Sequence, residues 1–156
     1  MAGPDGGALI GYSVGAPPAL ISMLADLGGF GPPPGLVVAG INRGPNTGRS
    51  TLFSGTIGAV LAGERFGLSG MAVSADVMVT GGMGATGTPG DVHWETAARV
   101  ARVVLPWLVD APARTVLNVN TPDIPLADRR GVRFAELAPV GGVRTVITGR
   151  ADTGLD

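Results

Sequence analysis

The sequence predicts an α/β fold in which a partly parallel sheet is flanked by helices. Three observations carry that reading. Residues 36–38, 71–74 and 115–120 are short apolar runs with β-branched residues, bounded by breakers. Residues 57–66 and 93–109 between them carry helical patterns. Strand and helix patterns that alternate along a chain place the strands parallel, because each crossover helix returns the chain to the same end of the sheet. At 156 residues the chain is the size of one domain, taken as 1–156, and is long enough to bury a core.

The elements follow in order. Residues 1–7 are a loose glycine-rich start, and residues 8–14 read as a short strand. Pro17 and Pro18 suit the first turn of a helix, whose apolar face is Leu20, Met23, Leu24 and Leu27 and whose stop is Gly28-Gly29. Pro32, Pro33 and Pro34 stiffen the approach to the strand at Leu36, and this strand–helix–strand order fits a right-handed crossover. A polar, glycine-rich loop covers residues 40–54. Ser54-Gly55-Thr56 then caps a helix that ends at Gly67. A strand, a polar loop and a helix N-terminus in series make an anion site, since loop N–H groups stay available and the helix end carries partial positive charge.

Residues 71–74 give the next strand, and residues 80–90 a glycine- and threonine-rich loop. The helix at 93–109 is amphipathic, with Trp94, Ala97, Ala101, Val104 and Leu108 on one face, and Pro106 is expected to kink or close it. Residues 115–120 (TVLNVN) form a strand leading into the turn Thr121-Pro122-Asp123. Residues 131–137 alternate like a half-exposed strand, residues 143–148 are its expected partner, and residues 150–156 read as a tail.

Composition excludes several chemistries. All 11 basic residues are arginine, so there is no lysine nucleophile, Schiff base or P-loop lysine. There is no cysteine, hence no disulfide, thiolate zinc site or thiol catalysis. The formal net charge of -1 favours neither nucleic acid nor an anionic membrane. No apolar run approaches the ~20 residues that span a bilayer, and the start lacks a signal-peptide pattern, so a cytoplasmic location is expected. The segment GPNTGRST fails the P-loop pattern at two of its four fixed positions, with Arg43 and Arg49 where glycine and lysine are required.

The central residues carry a resemblance. GINRGPNTGRSTLFSGT, with LVVAG before it and GLSGMAVS after it, resembles the survival protein SurE family, as do HWETAA at 93–98 and LNVNTPDIP at 117–125. The resemblance covers about 12–137, leaving 1–11 and 138–156 unassigned. It implies a Rossmann-like core and a metal-dependent 5'/3'-nucleotidase, a hydrolase that removes phosphate from nucleoside monophosphates. It also implies a divalent metal (magnesium or manganese) and a homo-oligomer, dimer or tetramer. The family's first strand ends in paired aspartates that hold the metal; this sequence is expected to begin after it, an N-terminally truncated core. Asp5-Gly6-Gly7 does not replace the pair. Of the ligand set only Asn42 carries over, so this chain alone is expected to be weak or inactive. The alternative is a non-catalytic phosphate-binding or assembly protein, associating through the sheet edge that the absent strand would have covered.

The residues themselves leave alternatives open. Asn42 is either a metal ligand or a loop asparagine bonding its own backbone. Asn46, Ser54, Gly55 and Thr56 are candidate phosphate-binding residues, and Ser54 and Thr56 serve equally as helix caps. Arg43 is a phosphate contact or a solvated charge. His93, the single histidine, is a general base or part of a helix start. Asp76, Asp91 and Asp123 are expected near strand or loop ends.

Overall fold

The computed structural model describes residues 10–77 and 92–139, with the backbone of two short strands at 150–151 and 154–155. Helix α1 (Pro18–Asp26) precedes strand β1 (Leu36–Arg43). A 3-10 turn (Gly48–Phe53) leads into α2 (Gly55–Arg65), then β2 (Ser69–Asp76), α3 (Trp94–Asp110) and β3 (Val116–Pro122). These three strands form one parallel sheet in the order β1-β2-β3. The Rossmann-like α/β class expected from sequence is therefore observed. The two terminal strands, β4 (Arg150–Ala151) and β5 (Gly154–Leu155), pair antiparallel, where a tail was expected.

Alternation along each strand sorts the core into two layers. Ile57 and Val60 of α2 pack with Ala72, Val37, Ala39 and Val116. On the opposite face Ala97 and Leu108 of α3 pack with Met71, Val73 and Ala75, joined by Trp94, Ala101 and Val104. The apolar face predicted for this helix is thus the face that is buried. Pro106 lies inside α3, which continues to Asp110, so it does not close the helix. β2 is buried along nearly its whole length because it is covered on both faces and paired on both edges.

A sheet that grows in one direction through right-handed crossovers carries its helices on one face. Here α2 and α3 lie on opposite faces of β1-β2-β3. The two crossovers therefore differ in hand, and the chain leaves the carboxyl ends of β1 and β2 toward opposite sides. That divergence opens a crevice, which is where parallel α/β sheets bind ligands.

A bulge shapes the end of β1. Ala39 pairs with Ala72 but Asn42 pairs with Ser74, so three steps on β1 match two on β2. The extra residue places Ile41 in the α3 layer and turns Asn42 to the α2 side, in line with Ser74 and, across β2, with Asn120.

Three expectations are corrected. The described part of the 8–14 strand, residues 10–14, forms no strand, and Ile10 and Tyr12 are exposed; β propensity without a partner edge makes no ladder. Residues 131–137 are exposed and irregular; their expected partner at 143–148 lies outside the described residues, as does the 80–90 loop. In α1 the predicted apolar face is largely uncovered, with Leu27 at 75% exposure, while Ser22 is buried. The helix turns its small side inward: Pro18 and Ala19 rest on Gly55 and Gly58 of α2, whose missing side chains allow the close approach.

Candidate functional site

The crevice is bordered by two helix N-termini. α2 runs back from the carboxyl end of β1 to the start of β2, only three residues separating Arg65 from Ser69. Its N-cap is Ser54, extended at φ -77° and ψ 120°, whose Oγ accepts from the Ile57 N–H at 3.2 Å. No acidic residue occupies the first turn of α2. Ser54, Gly55 and Thr56 thus present a capped helix start at the crevice, and the cap and anion readings remain compatible.

Asn46 ties the preceding loop to the sheet. Its N–H donates to Asn120 Oδ1 at 2.7 Å, and its Nδ2 donates to the buried Ser74 Oγ at 2.9 Å. Its carbonyl accepts from Asn118 Nδ2 at 2.8 Å and Asn120 Nδ2 at 3.1 Å. Asn46 is 5% exposed, so these bonds position the loop from Gly44 to Ser54. Sequence reasoning did not single out Ser74, Asn118 or Asn120. The signal was present: in VLNVN the asparagines alternate with apolar residues, so both fall on one face of β3, the face shared with Ser74.

Asn42 donates its Nδ2 to the Gly44 carbonyl at 2.8 Å, the local turn bond, which leaves its Oδ1 as an oxygen donor at the crevice. Among the described residues no three His, Cys, Asp or Glu side chains gather as a metal site. One neutral amide oxygen does not repay dehydration of magnesium or manganese, which bind through carboxylates. The described donor set therefore does not by itself fit the implied ion, and no step is derived through it. Asp5 and Asp91 lie outside the described residues.

On the α3 side, Asp123 follows β3 and accepts twice from His93 at one oxygen: from the backbone N–H at 2.7 Å and from Nδ1 at 2.9 Å. Thr96 adds a bond from Oγ1 to the Ile124 carbonyl at 2.8 Å, fixing the start of α3 to the end of β3. The backbone bond from His93 lowers the Asp123 pKa below the ordinary carboxylate value most strongly. Burial opposes that shift; the His93 ring bond and the charges of His93 and Arg43 reinforce it. Arg43 reaches this side because the bulge aligns it with Ala75 of the α3 layer. Thr121, buried two residues before Asp123, has an Oγ1 without a hydrogen-bond partner among the described residues. Asp76 lies half-buried at the end of β2.

The Asp123 shift has a testable sign. A carboxylate with a depressed folded pKa stabilises fully above the unfolded aspartate value of about 3.9 and loses that contribution as pH falls through the lower folded value. Urea unfolding across pH 2–7 is expected to show a flatter acid limb in Asp123→Asn than in the wild type.

A depression of about 610 Å³ beside β3 is lined by Pro122, Ile124, Asp128, Arg130 and Arg133. None of the residues proposed from sequence for phosphate or metal lines it. The polar groups lie instead at the crevice.

The family model for the survival protein SurE matches residues 6–140. The chain belongs to the SurE family. Among curated relatives, the 5'/3'-nucleotidase SurE of Edwardsiella ictaluri is 40% identical over 118 residues, 74% of this chain and 41% of the relative. That of Proteus mirabilis is 43% identical over 105 residues, 66% and 36% of the two chains. The crystal structure of the SurE protein from Aquifex aeolicus superposes with a TM-score of 0.61 at 26% identity, covering 76% of this chain and 45% of the other. The chain thus spans about two fifths of the length of the curated SurE relatives it matches. No helix among the described residues is long and apolar enough to cross a membrane.

Proposed function

We propose that the crevice binds the phosphate of a nucleoside monophosphate and that this SurE-family chain carries part of a 5'/3'-nucleotidase site. The observation that supports this most is the meeting of a capped, uncharged α2 N-terminus with the row Asn42, Ser74 and Asn120 at the point where the crossovers diverge. Ser54, Gly55 and Thr56 hold the phosphate through the helix start, and Asn46 holds the loop that presents them. Asn42 offers its Oδ1 to a magnesium or manganese ion whose carboxylate ligands come from outside the described residues. With one such donor described, turnover by these residues alone is weak. The open edges of β1 and β3 in the described sheet support homo-oligomer formation, which sedimentation tests.

The deciding experiment measures phosphate binding by calorimetry, and phosphate release from a panel of nucleoside monophosphates with and without magnesium or manganese. Wild type, Ser54→Ala and Asn42→Ala are compared. Affinity is expected to fall about tenfold in Ser54→Ala, about 1.4 kcal/mol, the scale of a lost cap at a helix anion site. Metal-dependent turnover abolished by Asn42→Ala supports the ligand role. Binding without turnover favours the non-catalytic alternative. Folded protein that binds no nucleotide overturns the reading.

A further inference from the structure

We infer that Phe53 reads the base of the bound nucleotide, its ring stacking on the base while the α2 start holds the phosphate. Phe53 is then a specificity-determining residue, favouring phosphomonoesters that carry an aromatic base over those that carry a sugar alone. This rests on the proposed phosphate site at α2.

The two halves of the site are joined by the chain itself. A helix start leaves four N–H groups without an acceptor inside the helix. Here the Ser54 N–H donates to the Thr51 carbonyl and the Ile57 N–H to Ser54 Oγ. The Gly55 and Thr56 N–H groups have no acceptor among the described residues, so these two face the phosphate. Phe53 directly precedes the Ser54 cap. Two residues span at most about 7 Å, so the Phe53 backbone lies within that distance of Gly55. One sugar separates base from phosphate in a nucleoside monophosphate, a span of the same order.

The ring is open and its backbone is held. Phe53 is 90% exposed and Leu52 beside it 79%. No described neighbour confines the ring to one rotamer, so it is free to turn over the Gly55 N–H. Beneath it, Thr51 Oγ1 donates to the Gly48 carbonyl at 2.8 Å and Ser50 Oγ to the Thr47 carbonyl. Asn46 ties the start of the same loop to Ser74 and Asn120. The platform is therefore in place before a ligand arrives, which lowers the cost of ordering it.

Packing does not account for the ring. Ile57 and Val60 fill the layer between α2 and the sheet without it. Charge then selects the occupant. From Leu36 to Gly63 the chain has no aspartate or glutamate and two arginines, Arg43 and Arg49. A flat aromatic ring tethered to an anion matches both features: the ring covers Phe53 and the anion meets the open N–H groups.

The test is calorimetry on the full chain, with and without magnesium, using adenosine monophosphate, ribose 5-phosphate and inorganic phosphate. Wild type is expected to bind adenosine monophosphate about tenfold more tightly than ribose 5-phosphate. Phe53→Ala is expected to remove that difference, losing about tenfold for the nucleotide and less than about twofold for the other two. Phe53→Trp is expected to keep the preference. The urea midpoint is expected to be unchanged in both variants, because the ring is exposed.

Proton spectra of the ligand supply a second readout. The adenine H2 and H8 resonances are expected to move upfield on binding wild type, under the ring current of Phe53. With Phe53→Leu, which keeps apolar bulk without an aromatic face, that shift is expected to vanish. Equal affinity of wild type for adenosine monophosphate and ribose 5-phosphate, or equal losses in Phe53→Ala, overturns the inference and leaves the phosphate site standing. Oligomer dissociation in Phe53→Ala, with the preference for adenosine monophosphate intact, assigns the ring to a protein contact and also overturns it. Binding of none of the three ligands overturns both readings.

Discussion

Asn120→Ala is expected to destabilise the chain by about 2–3 kcal/mol and to free the loop before α2. The Asn46 N–H has one acceptor, Asn120 Oδ1 at 2.7 Å, and that acceptor disappears. A donor left unsatisfied in a buried setting costs about 1–3 kcal/mol, beyond the modest gain of the bond itself. The Asn46 carbonyl is served differently, accepting from both Asn118 and Asn120. Asn118→Ala therefore leaves it satisfied and is expected to cost about 1 kcal/mol. Urea denaturation of the two variants checks the order, and in thermal unfolding the midpoint of Asn120→Ala is expected to fall by about 5–10 °C. Phosphate affinity is expected to drop in Asn120→Ala beyond the change in Asn118→Ala, because ordering the loop then falls to the ligand. Equal effects from both asparagines would show that the loop is not held through that N–H.

Among the described glycines, Gly40→Ala is expected to be the most damaging substitution, at about 4 kcal/mol. Gly40 sits at the β1 bulge with φ +134°, a conformation that strains any L side chain, and an added Cβ would overlap the Val73 carbonyl oxygen. Val73 cannot retreat, because β2 is paired on both edges and buried on both faces. Gly44 is the control. It also has positive φ, at +109°, but an added Cβ would meet nothing within 4 Å. Gly44→Ala is expected to cost only the backbone strain, about 1–2 kcal/mol. The difference between the two variants in chemical denaturation isolates the close approach of β1 to β2. A difference near zero would mean that β1 shifts freely at the bulge.

The two glycines also show where sequence reading succeeds and stops. The unit from Leu36 to Arg65 was legible because each of its parts is signalled locally, by β-branched residues, a serine cap and a glycine stop. The bulge was not, since one extra residue in a pairing has no compositional mark apart from Gly40 itself. It exchanges the faces that Asn42 and Arg43 would otherwise take, aligning them with Ser74 and Ala75, so the sharing of site residues between the two helices could not be read from spacing. The His93–Asp123 pair spans 30 positions and depends on how α3 docks on β3. The α1 face failed for a related reason. Leucine spacing identified a helix correctly, but the partner surface decided which side faced inward, and α2 offered glycines. At residues 131–137 alternation alone suggested a strand, and among the described residues no edge accepts it.

The opposed crossovers have a consequence for how negative charge is distributed. They bring two helix starts to one end of the sheet from its two sides, giving two positive poles. One pole is already answered: α3 has Glu95 in its first turn and the Asp123 carboxylate on its capping N–H. The other has a neutral serine and no acid in its first turn. Among the described residues, the first turn of one pole carries no acid, while two carboxylates stand at the other. A dianion arriving from solution meets an unequal pair, and the pull is toward α2.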